Sequence, residues 1–163
     1  MEKALILGAA GQIGTELVNT LRAQYGNDQV IAADLRADGL SEPCIHIDAT
    51  DEQALRDLIT KEGVTVVYQL VAMLSATGEK VPEKAWALNM QALFAVLNLA
   101  KDQLIKQVFW PSSIAAFGPN TPALDSPQMT VMDPTTVYGI SKLSGELWCQ
   151  YYHDKYGVDV RSI

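Results

Sequence analysis

The chain has few cysteines and an excess of acidic over basic residues. Its two cysteines, Cys44 and Cys149, lie far apart, with no Cys-x-x-Cys spacing and no histidine-rich neighbourhood. The sequence therefore suggests neither a disulfide framework nor a metal site, and a reducing compartment fits best. With 12 basic against 19 acidic residues and a net charge of −7, it lacks the clustered lysines and arginines that bind nucleic acid or anionic membranes. We expect neither of these partners.

Long apolar runs are also absent. No stretch approaches the roughly 18 to 20 residues of a membrane helix. The short apolar run in MEKALILGAAG leads into glycines and an amphipathic pattern, so it reads as a first strand and not as a signal peptide. We therefore expect a cytoplasmic protein, and 163 residues with 48% hydrophobic content are enough for one domain over residues 1–163.

What the sequence does contain is an alternation of short apolar runs and longer amphipathic segments. The predicted strands are 3–8, 29–34, 44–48, 64–71, 105–112 and 158–163, and the predicted helices are 12–25, 51–62, 82–103 and 136–156. Continuous apolar strands between helices indicate an α/β fold with a doubly wound parallel sheet covered on both faces. The sequence stops in the first residues of its last predicted strand, which we interpret as the amino-terminal half of a longer protein.

Two irregular segments follow predicted strands. Residues 73–82 and residues 118–136 are rich in proline, glycine, serine and threonine, and both come after the carboxyl end of a strand. In open α/β sheets that edge binds ligands. We expect the site there.

A glycine-rich turn follows the first predicted strand. Gly8, Gly11 and Gly14 in GAAGQIG lie between that strand and the first helix, where glycines allow a tight turn and a close approach of a pyrophosphate to the helix N-terminus. Asp34 stands twenty residues after Gly14, at the end of the second strand, where it can accept hydrogen bonds from a ribose. This combination predicts dinucleotide binding.

The same aspartate bears on the choice of dinucleotide. A 2′-phosphate would meet the Asp34 carboxylate at close range, so repulsion favours NAD over NADP. Arg36 is the counterargument, because a guanidinium two residues further on could serve a phosphate; it could also lie beside the adenine or be solvated.

A tyrosine and a lysine in VYGISK form a candidate proton-transfer pair. If residues 136–156 are helical, Tyr138 and Lys142 lie one turn apart on one face. A free tyrosine has a pKa near about 10 and is a poor base at neutral pH. An ammonium roughly 4 Å away could favour the phenolate by up to about 4 kcal/mol at an effective dielectric constant of about 20.

Together these motifs resemble the short-chain dehydrogenase/reductase superfamily. The GxxGxxG and YxxxK spacings carry that resemblance, and SSIAAFG (112–118) is similar to the serine element of its extended branch. Over essentially the whole chain, MLSATGE (73–79), PSSIAAFGP (111–119) and VYGISKLSGE (137–146) resemble the short-chain type of L-threonine 3-dehydrogenase. The resemblance implies NAD-dependent oxidation of the L-threonine 3-hydroxyl to 2-amino-3-ketobutyrate.

The resemblance also implies roles for individual residues. Tyr138 is the base, Lys142 is its electrostatic partner and a ribose ligand, Ser113 orients the substrate oxygen with Ser112 as its competitor, and Ser75 contacts substrate. Besides Gly8, Gly11, Gly14, Asp34, Tyr138 and Lys142, the positions implied for the cofactor site are Gln12, Ile13, Leu35, Arg36, Asp48, Ala49, Leu70, Val71, Ala72 and Asn89. Asn89 is also expected to support the active site from within the long helix.

Two other functions and one assembly remain open. A nucleotide-sugar epimerase or dehydratase would share the fold and the Tyr138–Lys142 pair, and a non-catalytic dinucleotide-binding module would share the glycine turn. Helices 82–103 and 136–156 carry more apolar residues than one sheet-facing stripe requires, which favours a homodimer through these helices. The apolar residues of the first helix that suggest this are Trp86, Leu88, Met90, Leu93, Phe94, Val96 and Leu97.

Overall fold

Every predicted strand and helix is present, most of them shorter by a residue or two at an end. The computed structural model describes residues 2–37 and 39–163. The strands are β1 (Ala4–Leu7), β2 (Val30–Asp34), β3 (Cys44–His46), β4 (Val66–Gln69), β5 (Gln107–Trp110) and β6 (Val160–Ser162). The helices are α1 (Gln12–Tyr25), α2 (Glu52–Glu62), α3 (Ser75–Gly78), α4 (Pro82–Lys101) and α5 (Val137–Tyr156). Short 3₁₀ turns span Asn27–Gln29 and Ile114–Ala116, and neither these turns nor α3 were predicted.

The six strands form one parallel sheet in the order β3-β2-β1-β4-β5-β6. The chain moves outward from β1 to β3, returns to β4 on the other side of β1, and moves outward again. This arrangement is the doubly wound Rossmann-like fold, so the predicted fold class is confirmed. The strand order reverses between β1 and β4, and ligands of such sheets bind beyond the carboxyl ends of the strands at this point.

Local capping sets where the helices begin and end. The Asp51 side chain accepts the Ala54 N–H at the start of α2, and the Thr136 hydroxyl accepts the Gly139 N–H at the start of α5. Both helices end at a glycine in the left-handed conformation, Gly63 and Gly157. The cap at Thr136 determines where α5 starts, and α5 carries Tyr138 and Lys142.

The two faces of the sheet have separate apolar cores. In β1, Leu5 and Leu7 pack in the core that includes α2, α4 and α5, whereas Ala4 and Ile6 pack in the core that includes α1. On the α1 side, the rings of Tyr68 and Phe109 stack on each other 4.7 Å apart and are only partly buried. Coverage of that face is therefore less complete over β4 and β5 than the apolar strands predicted.

Much of the apolar surface of α4 is used inside the chain itself. Met90, Leu93, Val96 and Leu97 are buried in the core, so these four residues are not available to a second subunit. The exposed apolar side chains of α4 and α5 are Trp86, Ile140, Leu147, Trp148, Tyr151 and Tyr156. None of the helices in the described ranges is long and apolar enough to span a membrane.

Candidate active site

The turn between β1 and α1 is shaped to receive an anion. The Gly8 and Ala9 N–H groups donate to the Ala33 carbonyl, which ties the turn to β2. A Cβ atom on Gly14 would lie 2.2 Å from the Gly8 carbonyl oxygen, so only glycine allows α1 to begin this close to the turn. The first turn of α1 has no acidic residue and no side-chain cap. Its N–H groups therefore remain available for the phosphates of a dinucleotide.

Asp34 is held beside this turn by two hydrogen bonds. One carboxylate oxygen accepts the Ala10 N–H at 3.0 Å, and the other accepts the Arg36 N–H at 2.9 Å. The carboxylate thus lies within the glycine turn's hydrogen-bonding network, in a fixed orientation, with lone pairs left for ribose hydroxyls. The glycine turn and Asp34 are far apart in the sequence, and in the fold they are in direct contact.

A cleft of about 540 Å³ opens at the carboxyl edge of the sheet. The residues implied for the cofactor that line it are Gly8, Gly11, Asp34, Leu35, Arg36, Asp48, Ala49, Leu70, Val71 and Ala72. The other residues that line it were not among the positions implied for the site: Leu7, Ala33, Ile47, Thr50, Met73, Leu74, Thr77 and Leu88. Ile47 and Thr50 adjoin selected positions, and Met73, Leu74 and Thr77 lie in the segment 73–79, where the sequence already predicted part of the site. Leu88 lies within α4, where no local pattern marks it as a cleft residue.

Three residues implied for the cofactor lie beside the cleft or behind it. Gln12 and Ile13 are exposed in the first turn of α1, where their backbone faces the same region as the glycine turn. Asn89 is buried, with 6% of its surface exposed. Its side-chain oxygen accepts the Met73 N–H at 2.7 Å, and its amide donates to the Met73 carbonyl and to the Ser141 hydroxyl. Asn89 therefore contacts the cleft only through the Met73 backbone, and its supporting role remains a prediction.

Tyr138 and Lys142 lie in the first turns of α5, on one face as expected. The Lys142 Nζ is 5.6 Å from the centre of the Tyr138 ring and 4.3 Å from that of Trp110, and it donates a 2.5 Å hydrogen bond to the Pro111 carbonyl. Lys142 is buried, with 4% of its surface exposed. This burial lowers the pKa of its ammonium from 10.5 to about 8.

The two adjacent serines point to different surroundings. The Ser112 hydroxyl donates to the Glu146 carboxylate, and Ser112 lines a second cavity of about 510 Å³. Ser113 caps the turn Ile114–Ala116, because its hydroxyl oxygen accepts the Ala115 N–H at 3.2 Å. The hydroxyl is the acceptor in this bond, so its own proton can be donated elsewhere.

The Ser113 turn packs against the turn of α5 that contains Tyr138. A Cβ atom on Gly139 would lie 2.1 Å from the Ala115 carbonyl oxygen, so the contact requires glycine at this position. The turn that follows Ser113 is thereby packed against the first turn of α5, at the residue next to Tyr138, whereas the Ser112 hydroxyl donates to Glu146.

Ser75 begins the short helix α3 in the segment after β4, between Leu74 and Thr77, which both line the cleft. The segment contacts α5 directly, because the Glu79 carboxylate accepts the Val137 N–H at 2.8 Å. The structure thus brings the segment of Ser75 and the base-bearing helix together at one edge of the sheet. Within residues 2–37 and 39–163, no three His, Cys, Asp or Glu side chains group as a metal site would require.

Comparison with known proteins identifies the family of the chain. The model of the NAD dependent epimerase/dehydratase family matches residues 4–163. An uncharacterized epimerase/dehydratase of Staphylococcus saprophyticus is 46% identical over 168 aligned residues, covering 100% of this chain and 52% of that protein.

Solved structures of L-threonine dehydrogenases are also similar. The GalE-like L-threonine dehydrogenase of Cupriavidus necator, in its holo form, is 53% identical with a TM-score of 0.96, over 99% of this chain and 54% of that one. The L-threonine dehydrogenase of Clostridium difficile is 43% identical with a TM-score of 0.92, over 100% of this chain and 52% of that one. The chain spans about half the length of these relatives. With the fold, the glycine turn and the family match in agreement, the chain belongs to the NAD dependent epimerase/dehydratase family.

Proposed function

We propose that this chain supplies the cofactor-binding and proton-transfer part of an NAD-dependent L-threonine 3-dehydrogenase. The observation that carries the proposal is the meeting of three elements at one sheet edge: the cleft with Asp34, the MLSATGE segment, and the turn of α5 with Tyr138. The similarity to L-threonine dehydrogenases at 43% and 53% identity supports the substrate assignment.

The residues present fit a nicotinamide dinucleotide. Gly8, Gly11 and the first N–H groups of α1 would hold the pyrophosphate, and Asp34 would hold the adenosine ribose. Both Asp34 oxygens are already oriented by backbone N–H groups, so the carboxylate would stay beside the ribose 2′ position and repel a 2′-phosphate. We therefore propose NAD as the cofactor. When bound, NAD accepts the hydride from the substrate carbon.

The chain's own residues would handle the proton. The phenolate form of Tyr138 takes the proton of the substrate 3-hydroxyl as the carbon–oxygen bond becomes a carbonyl, and the Ser113 hydroxyl donates a hydrogen bond to that oxygen. The Lys142 Nζ lies 5.6 Å from the Tyr138 ring centre, so the amine is on the side of α5 that carries the base. Ser113 takes this role because the Ser112 proton is held by Glu146.

A chimera tests the proposal. Residues 1–163 are joined to the part of the Cupriavidus necator L-threonine dehydrogenase that the match leaves uncovered, and NADH formation is followed by absorbance. We expect NADH with L-threonine, and a large loss with Tyr138→Phe or Ser113→Ala but not with Ser112→Ala if the protein stays folded. Absence of NADH with L-threonine, in a chimera that is folded and binds NAD, would overturn the substrate assignment.

The family match and the curated relative support a second candidate, a nucleotide-sugar epimerase or dehydratase. Such an enzyme would return the hydride to its substrate and accumulate no NADH. Incubating the same chimera with UDP-glucose and GDP-mannose, and analysing the sugars for conversion, distinguishes the two. A non-catalytic dinucleotide-binding module would bind NAD and convert neither class of substrate.

A further inference from the structure

The segment Met73–Glu79, which carries Ser75, is attached at both ends to the turn of α5 that carries Tyr138. Its first end is held through Asn89, whose side chain bonds both backbone groups of Met73. The Asn89 amide also donates to the Ser141 hydroxyl at 3.0 Å, and that hydroxyl donates to the Tyr138 carbonyl at 2.7 Å. A continuous chain of hydrogen bonds thus connects Met73 to the backbone of Tyr138.

The second end is held by Glu79. Its carboxylate accepts the Val137 N–H at 2.8 Å, and Val137 is the first residue of α5 and directly precedes Tyr138. The first turn of α5 has no acidic residue of its own, so Glu79 supplies the negative charge that a helix N-terminus favours. The two segments pack closely at Gly78, where a Cβ atom would lie only 3.3 Å from a Val137 methyl group.

The two attachments differ in burial. The Asn89–Ser141 bond is buried, so its loss would leave unsatisfied polar groups and destabilise the fold. The Glu79–Val137 bond is exposed and is a single contact. A single exposed hydrogen bond between a carboxylate and a helix N-terminus contributes only a small part of global stability. Substitution of Glu79 can therefore release one end of the segment without unfolding the protein.

We propose that Glu79 is a positioning residue, which holds the Ser75 segment at a fixed separation from Tyr138 by bonding the first N–H of α5. This role rests on the proposed function, together with the expectation that Ser75 contacts the substrate whose proton Tyr138 takes. Glu79 acts through the backbone and contacts neither cofactor nor substrate. Its loss lets the segment move away from the base, and a displacement of about 1 Å in such a site can cost roughly a hundredfold in rate.

One measurement needs only the 163-residue chain. Hydrogen exchange of the backbone amides is compared in the wild type, Glu79→Ala, Glu79→Gln and the control Glu83→Ala, which removes an exposed acid from the first turn of α4. We expect faster exchange at Val137 and at residues 74–79 in Glu79→Ala only. The glutamine oxygen can still accept the Val137 N–H, so Glu79→Gln should stay close to the wild type. Unchanged exchange at Val137 in Glu79→Ala would overturn the attachment.

A second measurement uses the chimera with L-threonine. We expect Glu79→Ala to lower kcat/KM for L-threonine by roughly tenfold to a hundredfold, with a much smaller change in the dissociation constant for NAD and only a small fall in the urea midpoint. Glu79→Gln should restore most of the rate, and Glu83→Ala should match the wild type. Wild-type kcat/KM in Glu79→Ala would refute the positioning role. If the unsubstituted chimera does not oxidise L-threonine, the proposed function fails, while the exchange experiment still decides whether Glu79 holds the segment.

Discussion

Lys142 is retained at a cost to folding, and replacing it with methionine should stabilise the chain at neutral pH. Its ammonium is removed from water, with no carboxylate among its hydrogen-bond partners. The pKa falls from 10.5 to about 8 because of desolvation. At about 1.4 kcal/mol per pKa unit, this lowering corresponds to roughly 3 kcal/mol of stability lost when the unfolded chain is charged. Methionine fills a similar volume without that charge.

The sign of the pH dependence follows from proton binding. Above pH 10.5 Lys142 is neutral in both the folded and the unfolded chain, so its burial carries no free-energy penalty for desolvating a charge. Between pH 10.5 and about 8 the unfolded chain binds a proton that the folded chain does not, so the wild type loses stability as the pH falls. Below about pH 8 the full cost is present. The advantage of Lys142→Met should therefore be largest at pH 7 and decline as the pH rises through this window.

Two contacts offset part of the gain. Lys142 donates to the Pro111 carbonyl and lies over the Trp110 ring. Losing a hydrogen bond of this kind costs on the order of 1 kcal/mol. We expect Lys142→Met to be about 1 to 3 kcal/mol more stable than the wild type at pH 7. At pH 10.5 it should be equal or slightly less stable, because only the lost contacts remain.

Urea unfolding followed by circular dichroism at a series of pH values measures this difference directly. Lys84→Met, at an exposed position of α4, is the matched control and should change stability by less than about 0.5 kcal/mol. The desolvation account would be refuted if the free energies of unfolding of Lys142→Met and the wild type differed by a constant amount from pH 7 to 10.5. It would also be refuted if Lys142→Met were less stable than the wild type at pH 7. In the chimera Lys142→Met should abolish most turnover, because it removes the proposed partner of Tyr138. Lys142 would then be a residue that is retained for activity although it destabilises the fold.

Further predictions concern the cofactor, the base, the glycine turn and the assembly. Calorimetry should give tighter binding of NAD than of NADP, and Asp34→Ala should narrow that gap; equal affinities in the wild type would contradict the repulsion argument. Tyr138→Phe in the chimera should lose on the order of 10² to 10⁴ in turnover while keeping its NAD affinity, and normal turnover would exclude Tyr138 as the base. Gly14→Ala should abolish NAD binding, because the new Cβ would lie 2.2 Å from the Gly8 carbonyl oxygen; wild-type titration curves would show that the turn tolerates it. Sedimentation should detect a homodimer that Leu147→Glu dissociates, since Leu147 is 65% exposed on α5, and a wild-type monomer at micromolar concentration would count against this interface.

Several features of this protein could be predicted from the sequence because their signals are local. The apolar runs and amphipathic periods specify the strands and helices, and parallel strands that alternate with helices restrict the sheet to a doubly wound order. The glycine spacing and Asp34 predict the cofactor edge, since each residue occupies a set place relative to one strand end. The i, i+4 spacing of Tyr138 and Lys142 places them on one helical face before any tertiary contact is known.

Other features depend on contacts between residues far apart in the chain, and only the tertiary structure decided them. Ser112 and Ser113 are neighbours in sequence, but their hydrogen-bond partners differ, because the Ser112 hydroxyl donates to Glu146 on α5 whereas the Ser113 hydroxyl accepts the Ala115 N–H. The lowered pKa of Lys142 comes from burial against the end of β5, which no spacing within α5 reveals. The attachment of Glu79 to Val137 joins residues 58 positions apart. Such contacts follow from how the elements pack on the sheet, and local sequence patterns carry no record of that packing.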